Sequence, residues 1–228
     1  MADAKYSVAS DLLDAWYKDI QSGEPPVRFR VHDGALNLFE LAPGSITLLG
    51  GPPGVGKTAF TMQCVFNALR LQKDLRVAVC NVEMTPESLL ERALAYLSGV
   101  SLTSIRNRQI KSEKAQEQLS AGLKILKSVA PRICFVRPPF EIGNALTSAE
   151  DFEADLLVVD YVQRIGVKSE EYGSRGQVDA TMAYLRKSAL ARLAILAVSA
   201  VSRSKGANGG SSYDPDATGL ASFRESSE

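Results

Sequence analysis

The sequence is poor in the residues that usually advertise a site, with one histidine, one tryptophan and no excess of either charge. Lys and Arg number 26 and Asp and Glu number 26, so no global basic field marks it as a nucleic-acid binder. Any such partner would have to be held in a local channel. His32 lies outside any constellation and reads as a loop or surface residue. Cys64, Cys80 and Cys134 sit in apolar segments without metal-ligand spacing. That argues against a zinc site or a disulfide framework and for buried thiols in a reducing, cytoplasmic setting. No apolar run reaches membrane-spanning length and the N-terminus lacks a signal-peptide pattern, so no membrane association is expected.

What is present is glycine in a particular arrangement. Gly51-Pro52-Pro53-Gly54-Val55-Gly56-Lys57-Thr58 fits G-x-x-x-x-G-K-[ST], the phosphate-binding P-loop. Backbone N–H groups of such a loop wrap nucleotide phosphates, and glycine lets the backbone curl and approach the anion. Lys57 adds a point charge toward the β- and γ-phosphates, and the Thr58 hydroxyl can ligate Mg²⁺. The flanks fit. Ser45–Leu49 is a short apolar run that reads as a buried strand, and from Ala59 to Leu69 neither Gly nor Pro interrupts a helix. The helix N-terminus turns unpaired N–H groups and a positive dipole end toward the loop. The expected nucleotide-binding set is Gly51, Pro52, Pro53, Gly54, Val55, Gly56, Lys57, Thr58 and Ala59.

The remaining chain alternates. Leu75–Val82, Ile133–Val136, Leu156–Asp160 and Ala194–Ser199 read as buried strands. Between them, Thr85-Pro86-Glu87 opens one helix with a cap, a proline and an acid, and Gly99 stops it. Ser112–Val129 is a second helix, and Val178, Met182, Leu185, Ala189 and Leu193 mark a third. The pattern predicts an α/β fold: a mostly parallel sheet with helices on both faces and ligands at the strand C-termini. Its 228 residues suffice for one such core. Residues 1–32 stand apart. Ser10 could cap a helix with an apolar stripe of Leu12, Leu13, Trp16, Tyr17 and Ile20, ended by Gly23-Glu24-Pro25-Pro26. That stripe packs either on its own domain or on a neighbouring subunit. The expected division is a linker helix and hinge over 1–32 and an ATPase domain over 33–228.

Asp160 closes an apolar strand, where a carboxylate can hold Mg²⁺. Hydrolysis also needs a group to orient the attacking water. Tyr161 follows Asp160, so that group must come from elsewhere. Glu83, just past the second strand, is the expected catalytic carboxylate beside Lys57. A helix-capping role is the competing reading.

The P-loop, Asn81-Val82-Glu83-Met84 and Asp160-Tyr161-Val162-Gln163, in this order, resemble the RecA-like core of DnaB-type replicative helicases. Phe223-Arg224-Glu225-Ser226 is similar to the family's Leu-Arg-Glu-Ser segment. The resemblance runs from about Ala35 to the last residue. It implies an ATP- and Mg²⁺-dependent motor, a homo-oligomer (usually a ring hexamer), single-stranded DNA in the central channel, and a preceding helix docked on the next subunit. DNA contacts would fall in loops carrying Lys168, Arg175, Arg203 and Lys205. Two departures stand out. Ala200 occupies the position of the family's γ-phosphate-sensing glutamine. The strands that carry an arginine finger are not in this sequence, which points to a C-terminally incomplete domain or to slow hydrolysis, since such fingers contribute about 10³–10⁵ in rate. A nucleotide switch of the RecA/KaiC type, assembling without translocation, is the alternative. A small-molecule kinase ranks lower, for want of an arginine-rich lid.

Overall fold

The computed structural model describes residues 7–32, 39–167, 174–190, 193–200, 204–205 and 211–212. Its first element, α1 (Ala9–Ser22), stops at Gly23, whose φ of 72° supplies the left-handed turn. The N-cap is Val8, not the expected Ser10. Ser10 already lies inside the helix, and its hydroxyl donates to the Asp11 carboxylate at 3.2 Å rather than accepting from the first-turn amides. No residue of α1 is buried.

Beyond Pro25-Pro26, β1 (Phe29–Arg30) pairs antiparallel with β2 (Glu40–Leu41). Phe29, Val31 and Leu41 are buried in the main core, which therefore takes in the chain ahead of the expected boundary between residues 32 and 33.

The central sheet holds five parallel strands: β3 (Ile46–Gly51), β4 (Val77–Asn81), β5 (Ile133–Phe135), β6 (Leu156–Asp160) and β7 (Ala194–Ala200). Their order is β3-β7-β6-β4-β5. Both faces are covered, so residues on both sides of each strand must be apolar. Val77, Val79, Leu156, Val158 and Leu196 meet one cluster, filled by Met62, Val65, Phe66 and Leu69 of α2 (Lys57–Leu71). Ala78, Cys80, Leu157, Val159, Ile195 and Ala197 meet the other. There the partners are Ile142, Ala145 and Ala149 of α6 (Ile142–Asp151) and Leu185 and Ala189 of α7 (Ser174–Leu190).

On the first face, α3 (Pro86–Ser98) packs on α5 (Glu113–Val129), with α4 (Leu102–Arg106) between them in sequence. Gly122 makes the close approach: a Cβ there would lie 2.7 Å from the Ser98 Cβ. Helices α4 and α6 were not among the expected elements. The first is barely more than one turn. The second opens with Gly143 and Asn144 in its first turn, residues that weaken a helical pattern.

Register does the positioning. Gly51 stands opposite Ala200, Val198 opposite Asp160, and Asp160 opposite Asn81. The C-terminal ends of four strands thus form one row.

Candidate nucleotide-binding site

The loop between β3 and α2 curls through Gly54 and Gly56, whose φ values of 82° and 93° suit glycine and strain any residue with a Cβ. Gly56 is the N-cap of α2, and no side chain caps that helix. Its first amides therefore point at the loop's concave side without a side-chain acceptor. Lys57 folds back over the loop, donating from Nζ to the carbonyl oxygens of Gly51 at 2.7 Å and Pro52 at 2.8 Å.

A cleft of about 310 Å³ opens beside this loop. Pro53, Gly54, Gly56, Lys57, Thr58 and Ala59 line one side, and Glu83, Met84, Arg92, Asp160, Tyr161 and Ala200 complete it. Four widely separated segments of sequence therefore meet in one cavity. Asp160 is only 3% exposed. Burial pushes its carboxyl above the ordinary range and the nearby Glu83 charge adds to this, while the Thr58 hydroxyl, Lys57 and the Asn81 amide pull the other way. Among the described residues no group of three or more His, Cys, Asp or Glu forms a metal cage. Thr58 and Asp160 instead suit a cation that brings phosphate ligands with it, as Mg²⁺ does.

Glu83 is exposed at the cleft rim. The capping of α3 falls to Thr85, whose hydroxyl accepts from the Ser88 amide at 3.3 Å, so Glu83 is not needed for that task. Three further residues had no role assigned to them from the sequence, although Asn81 and Gln163 stand in the motifs that carry the resemblance. Arg92 of α3 reaches the cleft, and its Nε is buried without a hydrogen-bond partner among the described residues. No sequence signal set it apart, since it follows Glu91 and shares its helical face with Ser88 and Tyr96. Asn81 donates to Asp160 Oδ2 at 2.7 Å. It is a polar residue closing the apolar run from Val77, and that interruption was the signal. Gln163 donates to Ser199 Oγ at 2.6 Å and to the Ala200 carbonyl at 2.9 Å, bracing the end of β7. Gln163 closes the Asp160-Tyr161-Val162-Gln163 motif, but nothing in that motif names its partner on β7.

The proposed DNA contacts are only partly covered. Lys168 and Arg203 lie outside the described residues, as does the Phe223–Ser226 segment. Arg175 lies in the backbone of α7. Lys205 lies in β8 (Ser204–Lys205), which pairs antiparallel with β9 (Ser211–Ser212).

The model of the DnaB-like helicase C-terminal domain matches residues 36–227. The chain belongs to this family. Among curated DnaB-related proteins, it is 25% identical over 168 residues to the probable plasmid replicative DNA helicase of Chlamydia psittaci. It is 29% identical over 134 residues to the replicative DNA helicase DnaB of Buchnera aphidicola. These alignments cover 72% and 57% of this chain but 36% and 28% of the relatives, so the chain spans about a third of their length. A solved DnaB-like replicative helicase, described with its primase interactions, superposes with a TM-score of 0.74 at 17% identity, covering 89% of this chain and 50% of that one. A KaiC-like protein from Pyrococcus horikoshii superposes with a TM-score of 0.51 at 18% identity, over 76% of this chain and 71% of that one. The DnaB-like fold is thus RecA-like, a P-loop sheet with helices on both faces. Among the described residues no helix is long and apolar enough to cross a membrane.

Proposed function

We propose that the cleft binds ATP with Mg²⁺, and that the chain hydrolyses it as the motor domain of a cytoplasmic DnaB-like replicative helicase. The observation that carries this reading is the meeting of Lys57, Thr58, Glu83 and Asp160, from three distant segments, at one cavity beside an uncapped helix N-terminus. The residues Gly51 to Ala59 cradle the phosphates with backbone amides. Lys57 leaves the carbonyls of Gly51 and Pro52 for the β- and γ-phosphate oxygens. Thr58 and Asp160 would hold the metal, which when bound neutralises phosphate charge as the terminal group departs. Glu83 orients the attacking water. Arg92 offers a cation from the same chain, and an anion in the cleft would give its buried Nε a partner. Ala200 lines that wall without a polar group, so Arg92 would join Lys57 as a second cation at the phosphates.

Hydrolysis would drive movement along single-stranded DNA in a homo-oligomeric, hexameric ring. The chain regions after β6 and β7, with Lys168, Arg175, Arg203 and Lys205, would meet the phosphates. In α1, Leu12, Leu13, Trp16, Tyr17 and Ile20 are each between 52% and 58% exposed, which supports docking on a neighbouring subunit over packing on the domain's own surface.

The test is ATP turnover with and without an oligo-dT strand at low and high salt, for the natural chain and for Glu83→Gln. The expected result is strand-stimulated, salt-sensitive hydrolysis that Glu83→Gln cuts to a small residual rate while ATP binding persists. Turnover indifferent to the strand, with ATP-dependent assembly, selects the nucleotide-switch reading instead.

A further inference from the structure

Asn81 ends β4 in register with Asp160 at the end of β6. The residue is only 6% exposed, and its side-chain hydrogen bonds run to the cleft's two carboxylate-bearing segments. Nδ2 donates to Asp160 Oδ2 at 2.7 Å. Oδ1 accepts from the backbone N–H of Glu83 at 3.0 Å and of Met84 at 2.7 Å. The amide can face only one way here. An ionised carboxylate accepts and cannot donate, and backbone N–H groups donate and cannot accept. A further bond, from the Val82 N–H to the Asp160 carbonyl at 3.0 Å, ties the same two segments through the backbone.

We propose that Asn81 is a positioning residue that couples the Asp160 carboxylate to the turn carrying Glu83. One planar amide fixes the metal-facing Asp160 carboxylate against the backbone from which the water-facing Glu83 side chain departs. No common replacement does both. Aspartate would set a second acceptor against Asp160, leucine would leave a carboxylate and two amides unpaired, and serine is too short to span the three partners. The coupling matters because a water-orienting group works only when held in place. A misplacement of about 1 Å can cost about 10²-fold in rate. This inference rests on the reading of Glu83 as the group that orients water.

The experiment compares Asn81→Leu, Asn81→Ser, Glu83→Gln and the double variant Asn81→Leu/Glu83→Gln in the 228-residue chain. It measures steady-state and single-turnover ATP hydrolysis, affinity for a fluorescent ATP analogue in EDTA, and thermal melting. The expected loss in kcat for Asn81→Leu is about 10–100-fold with KM and analogue affinity within about twofold. In the Glu83→Gln background the same change should lower the residual rate by less than about twofold, because the group that Asn81 positions is already disabled. If Asn81→Leu does not fold, Asn81→Ser carries the comparison, on its own and with Glu83→Gln. Natural kcat in a folded Asn81 variant overturns the inference. So does an equal loss in both backgrounds, which would mean that Asn81 acts by some route other than Glu83. Natural turnover by Glu83→Gln alone would instead overturn the reading of Glu83.

Discussion

The Lys57 ammonium group is held by the carbonyl oxygens of Gly51 and Pro52, six and five residues before it, at 2.7 and 2.8 Å. Its positive charge is thereby kept over the loop, ready to exchange two neutral acceptors for phosphate oxygens. Such an exchange gains because phosphate oxygens carry negative charge and add a Coulomb attraction that neutral carbonyls lack.

Lys57→Ala should therefore weaken ATP binding by about 10–100-fold, the equivalent of a charged hydrogen bond worth about 1.5–3 kcal/mol. The carbonyls it releases lie in a loop open to water, so the melting temperature should scarcely change. Titration calorimetry with ATP and Mg²⁺ measures the first, and calorimetric melting the second. Unchanged affinity would remove Lys57 from the site.

Asp160→Asn should trade activity for stability. Burial raises the Asp160 carboxyl above its ordinary value near 3.8, so the folded chain resists an ionisation that the unfolded chain accepts freely. Below that ordinary value both states are protonated and the group costs nothing. As pH rises through the window above it, the natural protein loses stability that the asparagine variant keeps. The variant should melt with the natural chain near pH 3 and several degrees above it at pH 7, while Mg²⁺-dependent hydrolysis is lost. Melting curves across pH, paired with a phosphate-release assay, check both halves. A variant less stable at pH 7 would contradict the argument.

The thiols give a separate test of the core. Burial pushes Cys64 up to about 11 and Cys80 up to about 12, and raises half-buried Cys134 as well. At pH 8 iodoacetamide should spare Cys64 and Cys80 in the native chain, modify Cys134 slowly, and label all three in denaturant. Mass spectrometry of the peptides reads the outcome. The sign for stability follows. Above pH 9 the unfolded chain releases thiol protons that the folded chain retains, so this contribution falls as pH climbs toward 11–12.

Trp16→Glu should leave the melting temperature within about a degree, because the indole is 58% exposed and burying a charge is not at issue. On the proposed reading it should abolish ATP-dependent assembly seen by sedimentation velocity. Assembly that survives the change would show that α1 does not form the subunit contact.

Much of this architecture was written locally. The P-loop, the apolar strands and the Thr85-Pro86 helix start are signals within a few residues, so periodicity and turn chemistry reveal them. Strand ends shifted by one or two residues, because hydrogen-bond pairing with a neighbour sets where a strand stops. Helix α4 and helix α6 escaped notice because one is too short for a period and the other begins with poor helix formers. Ser10 failed as a cap because a cap is defined by backbone angles, and residue type alone does not fix those.

The residue types at positions 51 to 58, and the carboxylates at 83 and 160, were plain from composition and order alone. Their meeting was not, nor were the roles of Asn81, Arg92 and Gln163. Glycine dihedrals and helix starts depend on near neighbours along the chain. The Asn81–Asp160 bond joins residues 79 apart, and it exists because β4 and β6 lie side by side in register. Strand order and register are settled by how apolar faces pack across the whole sheet, and no local stretch of sequence carries that information.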